Sequence, residues 1–241
     1  MTDLTGEVWL VDLGRVEYGA AYELQRRLLA ERDADRVPDL LLLVEHPPVI
    51  TLGRRGSRDD VFLSDAELAA RGIGIFETNR GGLVTYHGPG QVVGYPIVRL
   101  RAIAGDAPTY VWRLEETIVR TLAELGVEAW RDPGNRGVFA KGGKIAAIAV
   151  AVTHGVTMHG FALNACPDLG HFELIDPCGI GDLGVTSVER LLGSAPDLDA
   201  VRVSLARHFG DVFKRTVVPC LPALWELIES WGLLHSERVT T

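Results

Sequence analysis

Two residues have side chains that could do chemistry together: a cysteine in a tight Pro-Gly setting and a lysine at the head of an apolar run. Cys178 stands in DPCGIG between Pro177 and Gly179, where a turn would expose the thiol and leave room for a substrate carbonyl. Lys144 opens KIAAIAVAV. A lysine at the start of a strand is ordinarily solvated, but burial would lower its pKa and let it exchange a proton near neutrality. An ordinary thiol ionises at about 8.5, whereas attack on a thioester needs the thiolate. A neighbouring amine could take the thiol proton or, once protonated, stabilise the anion, at about 1.4 kcal/mol per pKa unit. A shift of ~1 to 2 units suffices, because nucleophilicity falls as the thiol pKa is driven down. Cys166 and Cys220 sit in ordinary surroundings and read as inert core residues.

The stretch Arg80 to Gln91, RGGLVTYHGPGQ, sets four glycines and a proline around Arg80, Tyr86 and His87. An irregular turn with one hydrogen-bonded histidine would account for His87 alone. So many glycines in one costly loop point instead to a ligand approached by backbone.

Other patterns fail on inspection. Gly179, Gly181 and Gly184 spell G-x-G-x-x-G, but Asp176 and Pro177 interrupt the strand that a dinucleotide fingerprint must follow. Downstream, Thr186 and Glu189 fit a capping box that would start a helix there. Gly137 and Gly142 have the spacing of a phosphate loop, yet Lys144 arrives one place late and Ile145 stands where Ser or Thr must hold magnesium. His46, His87, His159 and Cys178 lack metal-ligand spacing, so no metal is expected.

These residues need elements to hold them. Amphipathic periodicity predicts helices over about Tyr18 to Arg32, Val111 to Leu125 with Gly126 as its left-handed cap, Asp199 to Phe213, and Leu221 to Trp231. Apolar runs bounded by Gly and Pro predict strands over Val8 to Leu13, Leu40 to Val44, Gly74 to Phe76, Gln91 to Leu100, Lys144 to Val152 and Thr157 to Leu163. Because strands follow one another in mid-chain, the expected fold is α/β of α+β type, a mixed sheet with flanking helices packed on one face. The linker-like stretches Arg101 to Pro108 and Gly193 to Asp197 are too short to divide domains. One catalytic domain, 1–241, is expected, with a core over about 8–192 and a helical C-terminal extension over about 197–241.

The chain has 241 residues, 47% of them hydrophobic and 23% charged, a balance that favours a packed core over disorder. A net charge of -8 disfavours nucleic acid as a partner. The longest apolar run, Ile145 to Val152, is too short to cross a bilayer, and the acidic N-terminus lacks the charge of an export signal. Three cysteines without a C-x-x-C pair suit a reducing compartment. A soluble cytoplasmic protein is expected.

RGGLVTYHGPGQ, GGKIAAIAV, MHGFALN and PCGIG, in this order and spacing, resemble the lipoyl(octanoyl) transferase family, the octanoyl-[acyl-carrier-protein]:protein N-octanoyltransferases, from about Val8 to about Leu192. The resemblance implies a catalytic module like that of biotin and lipoate protein ligases. It implies that Cys178 carries an octanoyl group as a thioester and that Lys144 lowers the thiol pKa. Arg80, Gly81, Gly82, Leu83, Val84, Thr85, Tyr86 and His87 would line the acyl pocket with Ala147, Ile148, Ala149, His159, Gly160, Phe161 and Ala162. Octanoyl-acyl carrier protein would be the donor, and lipoyl domains of 2-oxoacid dehydrogenases and the glycine cleavage H protein the acceptors. A monomer without cofactor would suffice, since a thioester drives amide formation. The family usually carries glycine at the position of Ala149, so the added methyl group bears on acyl length. Arg54, Arg55 and Arg58 could steer an acidic carrier, or form a solvated loop with Asp59 and Asp60. Two other readings are an ATP-dependent lipoate or biotin ligase and a noncatalytic lipoate-binding module.

Overall fold

A computed structural model describes residues 6–176 and 184–234. Its framework is an eight-stranded mixed sheet. In chain order the strands and helices begin β1 (Glu7–Arg15), α1 (Tyr18–Asp33), β2 (Asp39–Glu45), β3 (Val49–Leu52), α2 (Asp65–Ala70), β4 (Gly74–Glu77), β5 (Val84–His87) and β6 (Gln91–Ile97). They continue with α3 (Leu100–Ile103), α4 (Ala107–Glu124), β7 (Ala129–Arg131), β8 (Val138–Ala140), β9 (Gly143–Thr153) and β10 (Val156–Asn164). The last elements among the described residues are α5 (Val188–Leu192), α6 (Leu198–Phe213), β11 (Thr216–Pro219) and α7 (Pro222–Ser230). The large sheet runs β11-β1-β2-β6-β10-β9-β8-β7, and a second sheet of three strands runs β4-β3-β5. In the large sheet β1 pairs in parallel with β2 and β11, and the remaining neighbours are antiparallel.

The sequence DLLLLVE of β2 shows why helices cover both faces of this sheet rather than one. Every residue in it is buried. Leu41 and Leu43 join a core built with α4 and α6, while Leu40, Leu42 and Val44 join another with Leu24 and Leu28 of α1 and Leu224 and Ile228 of α7. Because alternate side chains point to opposite faces, a continuous apolar run requires cover on both sides. The stretch after 197 is not only helical. Its α6 supplies Val201, Leu205 and Phe209 to the first core, and β11 extends the sheet beside β1.

Local signals set the boundaries near the site. Asp106 caps α4 by accepting from the Thr109 amide, the buried stripe includes Val111, Leu114, Ile118 and Leu122, and Gly126 follows at φ 82°. The helix α5 is capped by Ser187, whose hydroxyl accepts from the Arg190 amide, not by Thr186 as the capping-box pattern suggests. Thr186 is itself fully buried beside the pocket strand. The glycine-rich stretch read as a loop contains β5, and β3, hidden in a His-Pro-Pro context, pairs with it. No helix among the described residues is long and apolar enough to cross a membrane.

Where β10 crosses β6, the backbones approach so closely that Gly160 has no room for a side chain: an added Cβ would lie 2.2 Å from the carbonyl oxygen of Gly94. Gly160→Ala should therefore lower the urea unfolding midpoint by an amount equivalent to about 1 to 3 kcal/mol. Gly6→Ala, with nothing within 4 Å of the added atom, should leave it unchanged.

Candidate functional site

Small side chains on neighbouring strands open a trough in the large sheet. Ala147 pairs with Ala162 and Ala149 with Gly160 across β9 and β10, and such short cross-strand pairs leave the space that larger residues would fill. Residues 80–86, which lead into and form most of β5, face this trough. Between them lies a cavity of about 640 Å³, within the size range of small-ligand sites, about 300 to 1,000 Å³.

Among the residues singled out from the sequence, Arg80, Gly81, Gly82, Leu83, Val84, Thr85, Tyr86, Lys144, Ala147, Ile148, Ala149 and Ala162 line the cavity. His87, His159, Gly160 and Phe161 line a smaller pocket of about 30 Å³ that shares Arg80, Thr85, Ala147, Ala149 and Ala162 with it. Ala149 thus belongs to both spaces. Cys178 lies outside the described residues, yet the chain borders the cavity on either side of it, through Phe172 before and Val185 after. Asp176 donates its amide to Asp60 at 2.8 Å. Beyond the undescribed stretch, Lys144 donates its amide to Gly184 and accepts from the Thr186 amide, each at 3.0 Å.

Lys144 is half-buried. Its ammonium sits 5.3 Å from the centre of the Phe139 ring, its partner across β8 and β9. Burial lowers its pKa below that of an ordinary lysine, and the charge of Asp132 works against that shift.

Arg80 is buried and has no carboxylate partner among the described residues. Instead its Nε donates to Thr51 Oγ1 at 3.1 Å, and its Nη2 donates to the Thr51 carbonyl at 2.6 Å. Residues 53–55 clamp the loop around it, with Gly53, Arg54 and Arg55 amides donating to the carbonyls of Leu83, Arg80 and Gly82. Burial and this cation keep the neighbouring imidazoles neutral. His159 is pushed down to about 3, first by burial and then by Arg80 and Arg54. His87 is held well below its usual value by burial, His46 and Arg80, and His46 falls to about 4 through burial. The Val16 carbonyl, 2.6 Å from His46 Nδ1, can only accept, so Nε2 accepts from the Tyr95 hydroxyl at 2.8 Å. Among the described residues no group of three His, Cys, Asp or Glu side chains is arranged to hold a metal ion.

Two site residues escaped the sequence reading. Gln91 Oε1 accepts from His87 Nδ1 at 3.1 Å, and its Nε2 donates to Asn164 Oδ1 at 2.9 Å. Asn164 in turn donates to the Thr186 carbonyl at 3.1 Å. This relay ties the pocket floor to the segment bound to Lys144. The available signal was position: Gln91 ends RGGLVTYHGPGQ and Asn164 ends MHGFALN.

The proposed basic loop divides. Arg54 and Arg55 are exposed, and Arg55 reaches the cavity rim. Arg58 is occupied locally, bound to Asp65 and to the carbonyls of Val61 and Leu63, so its geometry serves the turn rather than a partner.

Comparison with known proteins finds relatives in sequence and in fold. The model of the lipoyl protein ligase A/B catalytic domain matches residues 17–210. An octanoyltransferase of Caldicellulosiruptor saccharolyticus is 49% identical over 203 residues, covering 83% of this chain and 86% of the relative. A bipartite lipoate protein ligase from Thermoplasma acidophilum superposes with TM-score 0.72 at 18% identity, covering 97% of this chain and 100% of that one. A biotin protein ligase from Aquifex aeolicus gives TM-score 0.53 at 13% identity over 86% of this chain and 70% of the other. These two share the fold. With the family model spanning most of the chain and a relative nearly half identical, the protein belongs to the octanoyltransferases of the lipoyl protein ligase A/B catalytic-domain family.

Proposed function

We propose that this chain, acting as a single catalytic unit, moves an octanoyl group from acyl carrier protein to the lysine of a lipoyl domain, holding it in transit on Cys178. The observation that carries the reading is the placement of a half-buried Lys144 in an acyl-sized cavity whose wall resumes at Val185, seven residues after Cys178. The similarity to octanoyltransferases supports the identity of the cargo.

Cys178 thiolate attacks the donor carbonyl, forming a new C–S bond as the carrier thiolate leaves and takes a proton from the Lys144 ammonium. The acceptor lysine, as free amine, then attacks the enzyme thioester. Its surplus proton returns to Lys144, an amide forms, and Cys178 leaves as thiolate. The aliphatic wall of Val84, Ala147, Ile148 and Ala162 contributes ~0.8 kcal/mol per buried CH₂, which selects medium chains coarsely. The uncompensated charge of Arg80 favours negative charge developing in the cavity. Acceptors fitting this reading are lipoyl domains of 2-oxoacid dehydrogenases and the glycine cleavage H protein.

Incubation with octanoyl-acyl carrier protein, without nucleotide, should add one octanoyl mass to the peptide containing Cys178. Cys178→Ala should abolish that adduct and reduce transfer by ~10³-fold or more. An adduct on any other residue would overturn the intermediate.

Alkylation separates the two roles of Lys144. Burial raises the thiol pKa of Cys166 and of Cys220, so reaction with iodoacetamide at neutral pH should report Cys178. Removing an adjacent ammonium destabilises the thiolate, so the alkylation midpoint should rise by ~1 to 2 pH units in Lys144→Ala. Lys144→Arg should keep the low midpoint yet lose transfer, because a guanidinium cannot accept the acceptor's proton.

Arg54 and Arg55 stand exposed near the cavity rim and suit an acidic donor. Stopped-flow association of the carrier should slow by ~10-fold at low salt in the double variant Arg54→Glu/Arg55→Glu, with the difference shrinking as ionic strength rises.

A further inference from the structure

The mechanism leaves unexplained a buried carboxylate on the far side of Lys144. Glu115 of α4 is 9% exposed. Its Oε1 accepts the amide of Gly137 at 3.1 Å, and its Oε2 lies 3.7 Å from Arg131 Nε. Gly137 immediately precedes β8, so that contact on the α4 side, not the sheet ladder, holds its amide.

Gly137 is shaped around the lysine. Its φ is 118°, and a Cβ built on it would lie 2.5 Å from the Ala146 carbonyl oxygen and 3.4 Å and 3.5 Å from Lys144 Cε and Cδ. The bare α-carbon is therefore part of the wall along which the lysine stem runs. Another wall is the Phe139 ring, and the backbone of residues 184–186 pairs with that of Lys144. Both of these are held by strand-like pairing. The Gly137 wall differs, being fastened by a side chain. Next to it the ladder slips, with Val138 facing Ala146 while Phe139 faces Lys144, so Ile145 of β9 is left over between those pairs and the ladder is irregular beside the lysine.

We infer that Glu115 is a positioning residue for Lys144: by holding the Gly137 amide it sets the wall that aims the lysine amine into the cavity. This rests on the reading of Lys144 as the proton-managing amine. The charged group whose field reaches that amine is Asp132, from the connection between β7 and β8, and Arg136, Arg55 and Arg80 line the same cavity.

The chain has lysine only at Lys141, Lys144 and Lys214, so reductive methylation with ¹³C-formaldehyde gives three side-chain resonances, assigned by Lys→Arg replacement. In Glu115→Ala the Lys144 resonance should titrate higher than in the parent protein, moving toward an ordinary lysine by about half a unit or more as the stem gains water. In unmodified protein the same variant should lower kcat by ~10- to 100-fold with donor KM nearly unchanged. Glu115→Gln, which keeps an oxygen to accept the Gly137 amide, should restore both. A folded Glu115→Ala whose Lys144 titrates and turns over as in the parent protein would overturn the inference. Should that variant fail to fold, Glu115→Asp, which keeps the charge but falls short of Gly137, decides between the same two outcomes. Undiminished transfer by Lys144→Ala would instead remove the proposed role of the amine, while the titration of Lys144 would still decide whether Glu115 positions it.

Discussion

Backbone pairing between Lys144 and the segment Gly184 to Thr186 is the interaction on which the site depends. Both polar groups of the Lys144 peptide are used there, one donating to Gly184 and one accepting from Thr186. Because the Thr186 carbonyl also receives Asn164, and Asn164 receives Gln91, a displacement of any one member unpairs the next. Unpaired buried polar groups cost more than such bonds yield when formed. The chain following Cys178 is thus bound to the strand bearing the lysine.

A second constraint is electrical. Arg80 is a buried cation satisfied by Thr51 and backbone oxygens rather than by a carboxylate. Such a charge is costly to bury, and its field falls on everything around the trough. The imidazoles nearby respond by staying neutral, so positive charge is confined to a few groups instead of spread through the pocket. Burial acts on Lys144 in the same sense, favouring the free amine.

Fold and pocket have a common origin in side-chain size. Alternation along β2 demands cover on both faces, and α1 with α7 on one side and α4 with α6 on the other provide it. Further across the sheet, alanines and glycine replace the large residues, and the three-stranded sheet carrying residues 84–87 supplies the opposite wall. The same α4 that packs the core also presents Val111 to the cavity and Glu115 to Gly137.

Much of this was legible in the amino-acid order. The period of α1, α4, α6 and α7 follows from local apolar spacing, and the apolar stretch after Lys144 suits a buried strand. Four short motifs sufficed to identify the family. The β3–β5 pair was not legible, because its short strands are specified by partners distant in sequence and one is surrounded by glycines. Nor could periodicity show that helices cover both faces, since a buried run reads alike whichever element covers it. The residue types at 144 and 178 were determined by sequence alone, together with the chemistry those types permit. Tertiary structure decided that Lys144 is half-buried, that its stem runs between Phe139 and Gly137, and that Glu115, Gln91 and Asn164 serve the site. The reason is physical: desolvation and hydrogen-bond partnership depend on groups brought together from distant parts of the chain, and no local pattern records them.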